Sequence, residues 1–213
     1  MKIEFKHTVP YPLKSQKLDK SMVWNSNLLL ESSTNFLVKS DSGKGKSTFI
    51  SYCYGLRNDY EGDVIINDTE LKLISLNQWS LIRKNQLSIV PQDLKLFPEM
   101  TAMENLLIKN NLTCHKKESE ILNMLEILNM MEFKDQKAST LSLGQQQRIA
   151  IIRSLLQPFE ILLMDEPFSH LDESNIEKAL QLINNECSLQ GASYIMTSLG
   201  YQYNVSNITT INL

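Results

Sequence analysis

Apolar residues in this chain follow two rhythms. Short apolar runs bounded by polar or turn residues predict strands. They are Asn35-Phe-Leu-Val-Lys39, Asp63-Val-Ile-Ile-Asn67, Gln86-Leu-Ser-Ile-Val90 and Phe159 to Met164. The first feeds straight into a loop of small residues. The second ends in an Asn67-Asp68 turn, and Pro91 stops the third. Ser193 to Thr197 and Ile208 to Leu213 read as closing strands. Between them the period lengthens to that of a helix. Thr48 to Leu56 is one helix, and the stretch from about Met100 to Phe133 is helical. Within it, Glu118 to Met131 sets Ile121, Leu122, Leu125, Leu128 and Met131 at helix spacing. A further helix runs from Ser142 to Gln157, with Ile149, Ile152, Leu155 and Leu156 on one side, and Ile176, Leu180 and Ile183 mark another. Strands alternating with helices predict an α/β fold with a mainly parallel sheet, on which the helical middle is an insert.

Composition narrows the partners. The 213 residues are 42% apolar with a formal net charge of −3, which fits a globular domain and argues against a broad basic surface for nucleic acid. Cys53, Cys114 and Cys187 are scattered, form no metal pair or disulfide framework, and read as small core residues of a reducing cytosol. The first residues, MKIEFKHTVPYPLKSQ, are broken by charges and prolines and hold no signal-peptide core. No apolar run approaches a bilayer span, so a membrane role is expected only through a partner.

Three segments carry chemistry. In Ser40-Asp-Ser-Gly-Lys-Gly-Lys-Ser47, glycines let the main chain curl round an anion, Lys46 supplies mobile positive charge, and Ser47 supplies a hydroxyl for a metal shell. The same composition also makes surface turns, and the strand before and helix after favour the phosphate reading. The usual pattern opens with glycine, and Ser40 stands there. Asp165 and Glu166 end an apolar strand, where ligands of α/β sheets sit. One acid there can hold Mg²⁺ and its neighbour can orient water. A strand ending at solvent would look the same. In Leu141-Ser-Leu-Gly-Gln-Gln-Gln-Arg148, Ser142 is placed to cap a helix whose exposed N-terminus suits a second anion contact, or simply starts a polar-faced helix.

The order of motifs is distinctive: phosphate loop, Pro91-Gln92-Asp93, LSLGQQQR, LLMDEP, then Ser169-His-Leu-Asp172. It resembles the ATP-binding cassette (ABC) ATPases of transporters over nearly the whole chain. Leu96-Phe-Pro-Glu-Met-Thr-Ala-Met-Glu-Asn105 is similar to cassettes of lipoprotein-release, macrolide-export and cell-division systems.

The resemblance implies a P-loop NTPase core with an antiparallel β portion near the N-terminus. Residues 1–92 and 142–213 would form the nucleotide-binding core and 93–141 the helical signature subdomain. It implies two cassettes, identical or different, closing head to tail on ATP and Mg²⁺. The pair would sit on the cytoplasmic face of a membrane through a permease subunit. Ser40, Asp41, Ser42, Gly43, Lys44, Gly45, Lys46, Ser47 and Thr48 would cradle the phosphates. Ser47, Gln92 and Asp165 would attend the metal, with Glu166 as general base or water-positioning group. Gln92 would also sense the γ-phosphate. Ser142, Gly144 and Gln145 would reach the partner's ATP, and Asp172 would lie at the dimer seam. Tyr11 would stack on adenine or be an ordinary loop aromatic.

Three positions depart from the family text: Ser40, Leu143 in place of the first signature glycine, and Ser198 where a histidine normally contacts the γ-phosphate. Losing one such transition-state contact costs about 3 kcal/mol, or a rate factor on the order of a hundred. Slow hydrolysis is therefore expected, with an ATP clamp paired to an active cassette as the alternative. ABC-type proteins acting on DNA or ribosomes usually carry two cassettes or a coiled-coil insert, and neither is present.

Overall fold

The computed structural model describes residues 1–16, 18, 21–41, 43–198 and 208–213. The chain opens with β1 (Lys2–Pro10), β2 (Asn27–Glu31) and β3 (Asn35–Lys39). It continues through α1 (Lys46–Cys53), β4 (Tyr60–Ile66), β5 (Thr69–Glu70), α2 (Leu76–Asn85) and β6 (Leu87–Val90). The second half holds α3 (Ala102–Asn110), α4 (Glu118–Ile127), α5 (Leu143–Ser154), β7 (Ile161–Met164), α6 (Glu173–Gln190), β8 (Ser193–Ser198) and β9 (Ile208–Asn212). Five strands form a parallel sheet in the order β6-β7-β8-β3-β9, and four form an antiparallel sheet in the order β2-β1-β4-β5. This is the expected α/β architecture, antiparallel portion included.

Burial on both faces explains why β7 is apolar throughout. Ile161 and Leu163 join the core between the two sheets, together with Phe49, Ile50 and Tyr52 of α1. Leu162 and Met164 point the other way, into a second core shared with α3, α4, α5 and α6. The antiparallel sheet has one wet face, so β1 alternates: Ile3 and Phe5 are buried, while Lys2 and Lys6 pair with Glu4 outside. Its register slips between Lys6 and Val9. His7 takes a left-handed φ of 48°, and a Cβ on Gly62 opposite would lie 2.3 Å from the His7 carbonyl oxygen. This bulge turns the strand toward the short 3₁₀ turn Tyr11–Leu13. Asn67 and Asp68, both at positive φ, close the β4–β5 hairpin as their sequence predicts.

Several expected boundaries move. Helix α1 begins at Lys46 and stops at Cys53, because Gly55 (φ 68°) turns the chain beneath Trp79. The strand expected at 63–67 starts at Tyr60, and Phe159 is buried but precedes β7. The helical middle is interrupted after Asn110, whose side-chain amide bonds both main-chain groups of Lys116 across a turn. Helix α4 ends where Asn129 adopts φ 52°, so Met131 leaves the stripe while Met124 and Met130 take core places. Helix α5 ends at Ser154, and Gln157 is instead a buried clip whose amide donates to the carbonyls of Arg83 and Leu87. Cys114 is exposed at that interhelical turn, so only Cys53 and Cys187 are core residues.

Candidate functional site

The parallel register gathers the predicted chemistry at the carboxyl ends of four neighbouring strands. Lys39, just before the phosphate loop, is paired with Ser198; Met164, just before Asp165, is paired with Met196 and with Val90, just before Pro91-Gln92. The Asp165 N–H donates to the Val90 carbonyl at 3.0 Å. Segments far apart in sequence therefore open on one edge, where α/β sheets bind ligands.

The phosphate loop curls because its glycines permit it. Gly43 (φ 77°) and Gly45 (φ 95°) occupy left-handed conformations that disfavour other residues. Gly45 has no spare room either, since a Cβ would come within 2.9 Å of Leu13 and 3.2 Å of Trp24. Trp24 also clamps the loop by donating its indole N–H to the Lys44 carbonyl at 3.2 Å. Lys46, buried in the first turn of α1, turns back into the loop. Its Nζ donates to the carbonyls of Ser40 (2.9 Å) and Asp41 (3.0 Å) and lies 3.6 Å from Glu166 Oε1. Ser40 has no positive φ, and its hydroxyl bonds the next carbonyl, so the conformation itself does not demand glycine there. The Thr48 hydroxyl accepts from Arg57, and Ser42 lies outside the described residues.

Beside the loop, Ser47 Oγ is 3.4 Å from Gln92 Oε1. Both line, with Asp165 and His170, a cleft of about 930 Å³ between α1 and the helical segment. Asp165 is only 5% exposed, and its Oδ1 accepts from the Thr197 hydroxyl at 2.8 Å. Glu166 adopts a left-handed φ of 50° and is held on both sides: its N–H donates to Thr197 Oγ1 (3.0 Å), and its carbonyl accepts from Gln147 Nε2 (3.3 Å).

A family model described as ABC transporter matches residues 25–169. The chain belongs to the ABC transporter family. Similar proteins include the ABC transporter ATP-binding protein YclH of Bacillus subtilis (strain 168), 30% identical over 207 residues, 95% of this chain and 88% of that protein. The lipoprotein-releasing system ATP-binding protein LolD of Saccharophagus degradans is 32% identical over 167 residues, 77% and 73% of the two chains. Among solved structures, the cassette MJ0796 in a dimeric post-hydrolysis state bound to ADP and Pi superposes with a TM-score of 0.78 at 26% identity, covering 98% of this chain and 94% of that one. A second dimeric structure of the same bacterial ABC transporter cassette gives 0.77 at 26% identity, covering 99% and 94%.

Of the other candidate residues of this ABC cassette, all but Ser198 stand apart from the strand ends. Ser142 caps α5 in a reciprocal box: its hydroxyl accepts from the Gln145 N–H, while Gln145 Oε1 accepts from the Ser142 N–H. Ser142 and Leu143 face solvent. Gly144 is pressed against the turn that follows Glu166, and a Cβ there would lie 2.8 Å from the His170 carbonyl oxygen. Asp172 caps α6, and its carboxyl is held below the usual range chiefly by the N–H of Asn175, with Arg148 adding a smaller pull. Tyr11 is half exposed with Lys14 Nζ 4.5 Å from its ring centre, on the same short turn as Leu13, which abuts Gly45. Ser198 is buried at the end of β8.

Sequence reasoning passed over Gln147 and Thr197. Gln147 joins Glu166 to His170, accepting the His170 N–H at 3.0 Å. Its only trace in the sequence is being the last of three successive glutamines after a helix cap. Thr197 looked like one more β-branched strand residue.

Proposed function

We propose that this chain is the ATP-binding and ATP-hydrolysing subunit of an ABC transporter, working as one of two cassettes beneath a permease. The carrying observation is the convergence of Lys46, Ser47, Gln92, Asp165 and Glu166 on one sheet edge. ATP phosphates would take the place of the loop carbonyls around the Lys46 ammonium, helped by loop N–H groups and the positive end of α1. Ser47, Gln92 and Asp165 offer a hydroxyl, an amide oxygen and a carboxylate lining one cleft, an all-oxygen set that fits Mg²⁺. When bound, Mg²⁺ would supply neutralisation of charge on the phosphate oxygens. Glu166 is the water-orienting base, and Lys46 at 3.6 Å keeps its carboxylate turned toward the loop.

Exposure of Ser142 and Leu143 at the capped start of α5 suits closure against the ATP of a second cassette. The cleft beside Gln92 continues over exposed Leu56, Phe97, Ile108 and Leu112, rimmed by Lys95, Lys109 and Arg153. We assign this surface to the permease. Among the described residues no helix is long and apolar enough to cross a membrane. Hydrolysis is slow on this reading, because a buried hydroxyl, Ser198, stands at the strand end where an imidazole would meet the γ-phosphate.

Purified protein should hydrolyse ATP with Mg²⁺, and Glu166→Gln should lose turnover by a factor on the order of a hundred or more while still binding ATP. Equal rates in the two proteins would remove Glu166 from its role. Ser198→His separates the weakened enzyme from an ATP clamp: a large gain supports slow hydrolysis, and no gain supports the clamp.

A further inference from the structure

We propose that Thr197 is the positioning residue of the carboxylate pair, its hydroxyl setting Asp165 and Glu166 together. The proposal rests on the ATPase reading above but adds a residue outside its motifs. Pairing of Met196 with Met164 places Thr197 beside Asp165, and the side chain is fully buried. One hydroxyl has one proton and two lone pairs. Here the proton goes to Asp165 Oδ1 at 2.8 Å, which keeps that oxygen an acceptor and fixes the plane of the carboxylate. A lone pair accepts the Glu166 N–H at 3.0 Å. Both bonds come from the same atom, so the Asp165 carboxylate and the Glu166 main chain are held in one shared geometry.

The second bond matters because of Glu166's backbone. A left-handed φ of 50° is costly for a non-glycine residue and persists only where its surroundings impose it. Thr197 holds the amide side of that residue and Gln147 the carbonyl side. Among the described residues no bond engages Asp165 Oδ2, which leaves that oxygen for a cation's hydration shell. Groups that orient a metal-facing carboxylate commonly change metal affinity or activity by about 10–100-fold when removed.

Threonine allows a clean test. Thr197→Val keeps the shape and removes the hydroxyl; Thr197→Ser keeps the hydroxyl and removes the methyl. Two readouts are needed, turnover and the tightening of ATP binding by Mg²⁺, the second being independent of hydrolysis. We expect T197V to lower kcat by about 10–100-fold and to lose most of the Mg²⁺-dependent gain in ATP affinity. ATP affinity without Mg²⁺ should stay within about threefold, since the loop contacts are untouched. T197S should restore both properties. An unchanged Mg²⁺ gain in T197V, or a T197S protein as impaired as T197V, overturns the proposal. Should T197V not fold, T197C asks the same question with a weak donor, and wild-type behaviour there overturns it as well. Failure of the ATPase reading shows separately, as wild-type protein without turnover, and the Mg²⁺-dependent binding comparison still decides the role of Thr197.

Discussion

Gly144→Ala sets two opposed effects against each other. Gly144 sits in the first turn of α5, just after the Ser142 cap. Its φ is not positive, so alanine fits the backbone and gains up to about 1 kcal/mol of helix propensity. Against this, the new Cβ would stand 2.8 Å from the carbonyl oxygen of His170, where ordinary contacts are several tenths of an ångström longer. That oxygen is main chain and cannot swing aside like a side-chain tip. Overpacking of this kind costs about 1–3 kcal/mol. The net loss lies between about zero and 3 kcal/mol, a fall in Tm of at most roughly 12 °C for a chain of this size. Function should suffer more. Relief of the clash moves His170, whose N–H is bonded to Gln147, and Gln147 in turn holds the Glu166 carbonyl. A shift of a few tenths of an ångström reaches Glu166, the proposed water-orienting acid, through two bonds. We expect kcat to fall at least about tenfold, with ATP binding by isolated protein little changed. Calorimetry, a thermal melt and a steady-state ATPase assay measure these quantities. Wild-type kcat together with wild-type Tm would show that the turn yields freely and that Gly144 is present for some other reason.

Lys116→Met should destabilise the protein by about 3–5 kcal/mol in urea titrations, because it strands Glu186, whose carboxylate meets the Lys116 ammonium at 2.7 Å with both side chains 8% exposed. Adding Glu186→Met should recover most of that loss, and a double variant no better than the single one would refute the pairing. His115→Gln should change the pH dependence of stability. Burial, then the charge of Lys116, holds the His115 imidazole below its ordinary value, so the unfolded chain binds more protons than the folded one. Its contribution is present above about pH 6.5 and is lost as pH falls through the lower folded value. Denaturation from pH 7.5 to 5 should show a shallower decline for the variant than for wild type, and parallel curves would contradict the assignment.

The parallel sheet was legible because β7 and its neighbours are buried on both faces, which leaves unbroken apolar runs. β1 was not. Its alternation is real in Ile3 and Phe5 but is cut by the bulge at His7, so period-two reading fails just where the strand bends. α2 escaped because its exposed surface carries Leu76 and Leu81 and its buried contribution is the single Trp79. The motif residues could be named since they cluster locally: loop glycines, paired acids, a serine before a helix. Residues that support them from another strand or helix could not, because their role depends on register. Thr197 and Gln147 acquire meaning only once β8 lies against β7 and α5 against the turn after Glu166.

That dependence on register bears on how a second cassette could influence hydrolysis. Helix α5 turns two kinds of group in opposite directions. Its cap Ser142 and first residue Leu143 face solvent, while Gln147 on the next turn is buried and grips both Glu166 and His170. Arg148 ties the same helix to its surroundings, donating to the carbonyls of Gly144 and Leu128 and to Asn175 at the start of α6. An anion or a second chain pressing on the α5 N-terminus therefore acts on an element already bonded to the main chain of Glu166. Elements held in this way carry coupling only if they have two discrete arrangements. The left-handed φ of Glu166 is a candidate for one of them, since a residue in that conformation can relax once either flanking bond is lost.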